Sequence, residues 1–198
     1  MLAPVLAVAR MGEKSGEVSQ TEQKAVKNLM ELGEMRVADI MTPGPVVFML
    51  PEITLLSEFS DLVAETPFSR IPVHGERKSE VTGFVLRSDA LLAQIRSGDE
   101  AATLVEVRRP VEVVLQTLEL DRLFQRFREE GHQMMLVTDE SGSAIGVVTL
   151  EDLVETIFGF EIVDEVDEIA DLQEHARKLW RERAAKMGLK TDEDGGVQ

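Results

Sequence analysis

Between residues 46 and 158 the chain runs twice through one pattern of short apolar runs and amphipathic segments. In the first pass, Val46–Leu50 predicts a strand and Leu55–Glu65 a helix. Arg70–His74 and Val81–Leu86 follow as strands, and Ser88–Ser97 as a second helix. The second pass repeats the order over Val111–Leu115, Glu119–Glu130, Met134–Thr138, Ala144–Thr149 and Leu150–Phe158. Pro45-Val46 aligns with Pro110-Val111 at an offset of 65 residues, and Gly83-Phe84-Val85 with Gly146-Val147-Val148 at 63. Asp89 and Asp152 each fall six residues after their glycine, so only loop length separates the passes. The expected fold class is α/β (α+β), with two βαββα repeats packed on each other rather than strung into a solenoid. Each short sheet has a face left to cover, and a neighbour completes the core.

The flanks have a different texture. Ser19 and Glu22 fit a capping box, and Val26, Leu29, Met30 and Gly33 follow at helical spacing, predicting a helix over 20–33. Gly12 and Gly16 mark a break before it, leaving Met1–Arg10 as a separate short helix. Thr42-Pro43-Gly44-Pro45 resists regular helix. Beyond the second repeat, Glu161–Asp171 is acidic and His175–Lys190 is basic. There Leu172, Ala176, Leu179, Trp180 and Met187 outline an amphipathic helix whose charge order complements its dipole. Its narrow apolar face favours docking on the module or on a partner over contact with a membrane. The expected divisions are a helical segment over 1–36, repeats over 37–100 and 101–163, and a linker with C-terminal helix over 164–190. A disordered polar tail over 191–198 ends the chain.

Composition narrows the classes. The net charge is −16, which argues against nonspecific nucleic-acid binding, where clustered positive charge must neutralise phosphates. Solubility accounts for this charge better than a cation site does. The 198 residues include no cysteine, which excludes disulfide frameworks, thiolate metal sites and cysteine nucleophiles. No apolar run approaches the ~20 residues that span a bilayer. The apolar start, Leu2 to Ala9, lacks the basic region of a signal peptide.

The strongest local chemistry is Gly146-Val-Val-Thr149-Leu-Glu-Asp152, where a buried strand runs straight into a helix. A carboxylate at Asp152 can accept from both hydroxyls of a ribose, and Thr149 adds a hydroxyl and a backbone contact. The helix start favours a phosphate nearby. Thr-x-x-Asp is equally the signature of a capping box, so the pattern alone leaves both readings open. The matching place in the first repeat is Leu86-Arg87-Ser88-Asp89, which keeps the acid and loses the threonine. That asymmetry points to one competent site, in the second repeat. A second cluster, Phe68-Ser69-Arg70-Ile71-Pro72-Val73, places Arg70 at a strand entrance, where a guanidinium can meet phosphate or solvent. His74, His132 and His175 lack metal-ligand spacing and read as structural or exposed. No Gly-rich phosphate loop, nucleophile elbow or His-Glu-x-x-His motif is present.

At these residues the chain resembles CBS-domain pairs. Val37-x-Asp39-Ile40-Met41-Thr42-Pro43, Ser69-Arg70-Ile71-Pro72-Val73 and Val148-Thr149-Leu150-Glu151-Asp152-Leu153, in that order, are similar to the CorC/CNNM group of magnesium and cobalt transport proteins (haemolysin-C-like). The stretch from Glu155 to Glu168, with Gly159 and Ile162-Val163-Asp164-Glu165, matches that group's ending to the pair. The likeness covers about residues 20–170. It implies a cytosolic module that binds Mg-ATP (or AMP or ADP), pairs into a homodimer, and follows a membrane domain of the same full-length protein. Residues 1–36 would belong to an acidic helical bundle between the two, and the chain would be the cytosolic portion of a longer protein. Carried over by position, the resemblance places Thr42 near adenosine and Phe68 and Ile71 near the base. Ser69 and Arg70 would face the phosphates, Pro72 would shape the pocket, and Thr149 and Asp152 would hold the ribose. Two departures stand out: Gly44 replaces the arginine common after Met-Thr-Pro, and Asp89-Ala90-Leu91 replaces Asp-Leu-Leu.

Three functions follow from these readings. The first is a regulatory adenine-nucleotide module of a magnesium/cobalt transport protein. The second is an interaction scaffold with the same fold and no physiological nucleotide. The third, an enzyme acting on nucleotides, is weakest, because no general base stands beside a nucleophile or metal cluster.

Overall fold

In the computed structural model, residues 15–160 are described, together with 7, 8 and 11–13. Most of the expected first helix, and the whole acidic stretch, His175, Trp180 helix and polar tail, lie outside the described residues.

Helix α1 (Gln20–Glu31) begins as the sequence predicts. Ser19 Oγ accepts from the Glu22 amide at 3.2 Å, and Glu22 accepts from the Ser19 amide at 2.7 Å. It ends sooner than 33, in a tight 3-10 turn at Leu32–Glu34. A one-turn helix, α2 (Val37–Ile40), follows before the prolines.

The repeats then unfold in the expected order. The first contains β2 (Leu50–Pro51), α3 (Leu56–Leu62), β3 (Arg70–His74), β4 (Val81–Leu86) and α4 (Arg87–Arg96). The second contains β5 (Glu112–Leu115), α5 (Leu120–Glu130), β6 (Met134–Thr138), β7 (Ala144–Thr149) and α6 (Leu150–Phe158). The strand expected over Val46–Leu50 does not form as such. Gly44–Val46 winds into a 3-10 turn, and the paired residues are Leu50–Pro51. An additional short strand, β1 (Thr42–Pro43), lies just upstream.

Each repeat pairs its first strand parallel to its second and its second antiparallel to its third. The segments that precede the repeats cross over. Thr42 and Pro43 of β1 pair with Val147 and Gly146 of β7, in the other repeat. Arg109, ahead of the second repeat, likewise bridges to Phe84 of β4, with reciprocal backbone bonds of 2.9 and 2.8 Å. The backbone repeats this relation elsewhere: the Val37 amide donates to Leu118 O, and the Leu104 amide to Thr54 O. Thr42 therefore corresponds to Arg109, and Pro43 rather than Pro45 to Pro110. The Gly44–Val46 turn is the extra length that made Pro45 look like the anchor.

The cores cross over in the same way. Leu32, Val37 and Ile40 pack with Leu120, Leu123 and Met135 in the core of the second repeat. Ala102 and Leu104 pack with Phe59, Ile71 and Val85 in the core of the first. The expected boundary at 37 thus divides the sequence, not the packing. A third apolar cluster of Met134, Leu136 and Val147 meets Val81 and Phe84 between the sheets, covering the faces that single repeats leave open. Gly146 and Gly83 are required by the crossing strands. A Cβ on either would run into the backbone oxygen of Thr42 or Arg109, respectively.

Candidate functional site

The structure gathers four of the eight expected site residues around the start of α6. Thr149 ends β7 with an extended backbone and caps the helix: its Oγ accepts from the Asp152 amide at 3.2 Å. In return, Asp152 Oδ2 accepts from the Thr149 amide at 2.6 Å and from its hydroxyl at 2.7 Å. Both bonds fall on Oδ2, and none to Oδ1 is found among the described residues. The capping box is therefore real and uses only half of the carboxylate. Burial pushes the Asp152 carboxyl up to about 6, against the lowering effect of the Thr149 hydrogen bonds, and Glu151 adds to the rise.

Thr42 stands on the edge strand beside β7, in register with Val147. Arg70 comes from the first repeat. Its guanidinium reaches across the repeat interface and donates to the side chain of Gln133, whose backbone carbonyl accepts from the Leu150 amide at 3.1 Å. The cation is thereby tied to the first turn of α6.

The other four site residues stay with the first repeat. Phe68 stacks on Phe48, ring centroids 6.3 Å apart, against that repeat's core. Ile71 is fully enclosed in the core and Pro72 is buried opposite Phe84 in β4. Ser69 is exposed, and its carbonyl accepts from the Arg87 amide at the start of α4. Of the histidines, His74 is buried with Nδ1 2.8 Å from Gly75 O, and His132 sits beside Glu130.

Two residues with a part in this geometry are not among the sequence candidates. Gln133 links Arg70 to α6, and no motif marks it. Arg109 forms an ion pair with Asp89 at 2.5 Å, at the helix start in the first repeat that corresponds to the Asp152 helix start. Aligning Pro110 with Pro45 sets Arg109 opposite Gly44; aligning it with Pro43 would have set Arg109 opposite Thr42.

The far end of α6 is held as well. Lys24 Nζ donates to Gly159 O at 2.6 Å, and Asn28 Nδ2 to Thr156 O at 2.9 Å. Gly159 caps the helix in the left-handed region, φ 70°. Among the described residues no group of three or more His, Asp and Glu could hold a metal ion, and no helix is long and apolar enough to cross a membrane.

Two repeats that exchange strands around a shared sheet interface, with a Thr-x-x-Asp helix start, define a CBS pair. The CBS domain family matches residues 37–96 and 103–159, and the chain belongs to that family. Within it, the chain is similar to the magnesium and cobalt efflux protein CorC of Escherichia coli (strain K12), 34% identical over 182 residues that cover 91% of this chain and 62% of that protein. The chain spans between 50% and 63% of the length of curated relatives that it matches. The solved CBS domain of a bacterial CNNM/CorC family Mg2+ transporter superimposes with a TM-score of 0.73 at 27% identity, covering 82% of this chain and 98% of that one. A structure of such a domain in complex with ATP gives 0.66 at 28% identity, over 70% of this chain and 98% of that one.

Proposed function

We propose that the chain is the cytosolic regulatory module of a CorC/CNNM-type magnesium/cobalt transport protein, and that it binds Mg-ATP in the Asp152 crevice. The observation that carries this reading is the junction of Arg70 from one repeat with Thr149 and Asp152 of the other. A carboxylate with an accepting oxygen to spare suits the hydroxyls of a ribose. A guanidinium across the interface suits the phosphates. The ATP complex of the related domain supports the same ligand.

In a chain of net charge −16, a triphosphate arrives more readily with its charge partly neutralised, so Mg2+ accompanies the nucleotide. Arg70 supplies the protein's own positive charge. Of the sequence candidates, Thr42 borders the crevice. Phe68, Ser69, Ile71 and Pro72 would form the first-repeat wall nearest the base and phosphates.

Because the ligand touches both repeats, it favours the arrangement of the pair that brings Arg70 and Asp152 to it. That preference is what can be passed to a homodimer partner and to a membrane domain. The module performs no chemistry on the nucleotide in this reading.

Calorimetric titration with AMP, ADP and ATP, with and without Mg2+, tests it. Binding at millimolar concentration or better that Asp152→Ala abolishes is the expected result. No heat with any nucleotide would leave the interaction scaffold as the function. Steady phosphate release that scales with protein and survives repurification would make it an enzyme.

A further inference from the structure

Arg70 carries its charge across the repeat interface without losing it to an acid. It opens β3, where its backbone pairs with Leu86 of β4 inside the first repeat. Its guanidinium leaves that repeat and donates through Nη2 to Oε1 of Gln133. Among the described residues, no carboxylate stands within ion-pair distance of it. Arg108 and Arg126, by contrast, are paired with Glu52 and with Glu112 and Glu130. An amide oxygen is neutral, so it orients a guanidinium and leaves the charge intact. Gln133 is placed for this by the strand that follows it. Met134, the first residue of β6, is in register with Thr149, the last of β7. The residue ahead of Met134 therefore lies beside Leu150, where α6 starts, and the Gln133 carbonyl accepts from the Leu150 amide at 3.1 Å. One residue thus holds the helix start with its backbone and the cation of the other repeat with its side chain. Gln133 is exposed, so its side chain fills no part of either core.

We propose that Gln133 is the positioning residue that presets Arg70 for phosphate, and that it thereby sets the preference of the crevice for ATP over adenosine. This rests on the reading of the Asp152 crevice as the nucleotide site. An arginine side chain has many rotamers, and fixing it on arrival of a ligand costs affinity. Held beforehand at the first turn of α6, the guanidinium meets a phosphate with that cost already met. A phosphate oxygen is charged and is a stronger acceptor than an amide oxygen. The guanidinium has several N–H donors, and the bond to Gln133 uses Nη2, so phosphate can join without displacing the amide. The ribose and base gain nothing from Gln133, because its side chain acts only through Arg70.

Calorimetry of the full chain with Mg-ATP and with adenosine tests the proposal. Gln133→Ala is expected to weaken ATP by about threefold to tenfold, the affinity equivalent of ordering one long side chain. Adenosine, which brings no phosphate, is expected to change by less than about twofold. Gln133→Glu is expected to weaken ATP further, on the order of tenfold or more, by neutralising Arg70 and repelling phosphate. Gln133→Met keeps the length without the acceptor and is expected to match Gln133→Ala, should the shorter side chain disturb the fold. In an Arg70→Ala background, Gln133→Ala is expected to cost less than about twofold. Equal losses for ATP and adenosine, an unchanged or tightened ATP, or an undiminished loss in the Arg70→Ala background would overturn the proposal. A measurement without ligand separates it from the reading of the crevice. The heteronuclear NOE of the Arg70 Nε–H group, assigned with Arg70→Lys, is expected to be high in wild type and to fall in Gln133→Ala. If the wild type binds no nucleotide, the crevice reading and the ATP preference fail together. The holding of Arg70 by Gln133 then stands on that fall in the NOE, and goes too if Arg70 is equally mobile in both proteins.

Discussion

The two crevices of this CBS pair are a comparison made within one chain. Their frames agree closely. Each is built where an antiparallel strand turns into a helix, each is bordered by a segment from ahead of the other repeat, and each holds an aspartate on the helix's first turn. Their chemistry diverges wherever a side chain faces the crevice. One aspartate is held by a threonine cap and its carboxyl pKa is raised by burial, while Arg70 of the other repeat is bound to Gln133, whose carbonyl holds the Leu150 amide of the same helix. The other is neutralised in place by Arg109. Duplication thus supplies the scaffold twice, and a handful of side chains sets the two copies apart. In this fold, backbone symmetry is evidence of architecture and side-chain asymmetry is evidence of function.

The comparison breaks most severely in the cores. Phe59 and Leu123 occupy matching positions on α3 and α5, and both are fully buried. Phe59→Ala is expected to cost about 3–5 kcal/mol and Leu123→Ala about 2–5 kcal/mol in urea unfolding. Both variants are expected to unfold in one transition. Each core contains a segment from ahead of the other repeat, so neither melts alone.

Next in size is the contrast in binding. Asp152→Ala is expected to weaken ATP by about a hundredfold or more, the loss of two hydrogen bonds to a charged acceptor. Asp89→Ala is expected to change affinity by about twofold at most, since its partner is Arg109 rather than ligand. Equal losses in the two variants would abolish the distinction between the crevices.

The pH dependence sharpens it further. An unfolded aspartate titrates near 3.9, and Asp152 in the folded chain near 6. The folded state therefore holds the proton more tightly, and this group favours folding fully below about pH 4. The contribution is lost as pH rises through 6, after which the charged form costs roughly 2–3 kcal/mol. Asp152→Asn keeps an oxygen for both Thr149 bonds. It is expected to exceed wild type in stability at pH 7.5 by up to that amount and to converge with it near pH 4. The same titration is expected to weaken ATP binding by wild type as pH falls below 6. The smallest effect belongs to Arg109→Thr, which is expected to shift stability by less than about 1 kcal/mol.

Most of the frame was legible in the sequence because it is written in hydrophobic period and glycine placement. Arg70–His74, Val81–Leu86, Met134–Thr138, Ala144–Thr149 and Leu150–Phe158 have the bounds that the pattern predicts. The first strand of the first repeat was not legible, since apolar Val46–Leu50 reads as strand while Gly44 and Pro45 impose a turn. Strand exchange was hidden for a related reason: local pattern cannot say which repeat a two-residue strand will join. Thr149 and Asp152 were visible as a motif, and Arg70 as a charge at a strand entrance. Gln133 and Arg109 act through contacts 63 and 20 residues away in sequence, to Arg70 and Asp89, which no local spacing reveals.

The location of the nucleotide is the central claim, and crystals of the chain soaked with Mg2+ and 8-bromo-ATP test it most directly through the anomalous signal of bromine. One peak per chain, in the crevice bounded by Thr42, Arg70 and Thr149, with the ribose hydroxyls on Asp152, is the expected result. A peak beside Asp89 and Arg109, or equal peaks in both crevices, would contradict it.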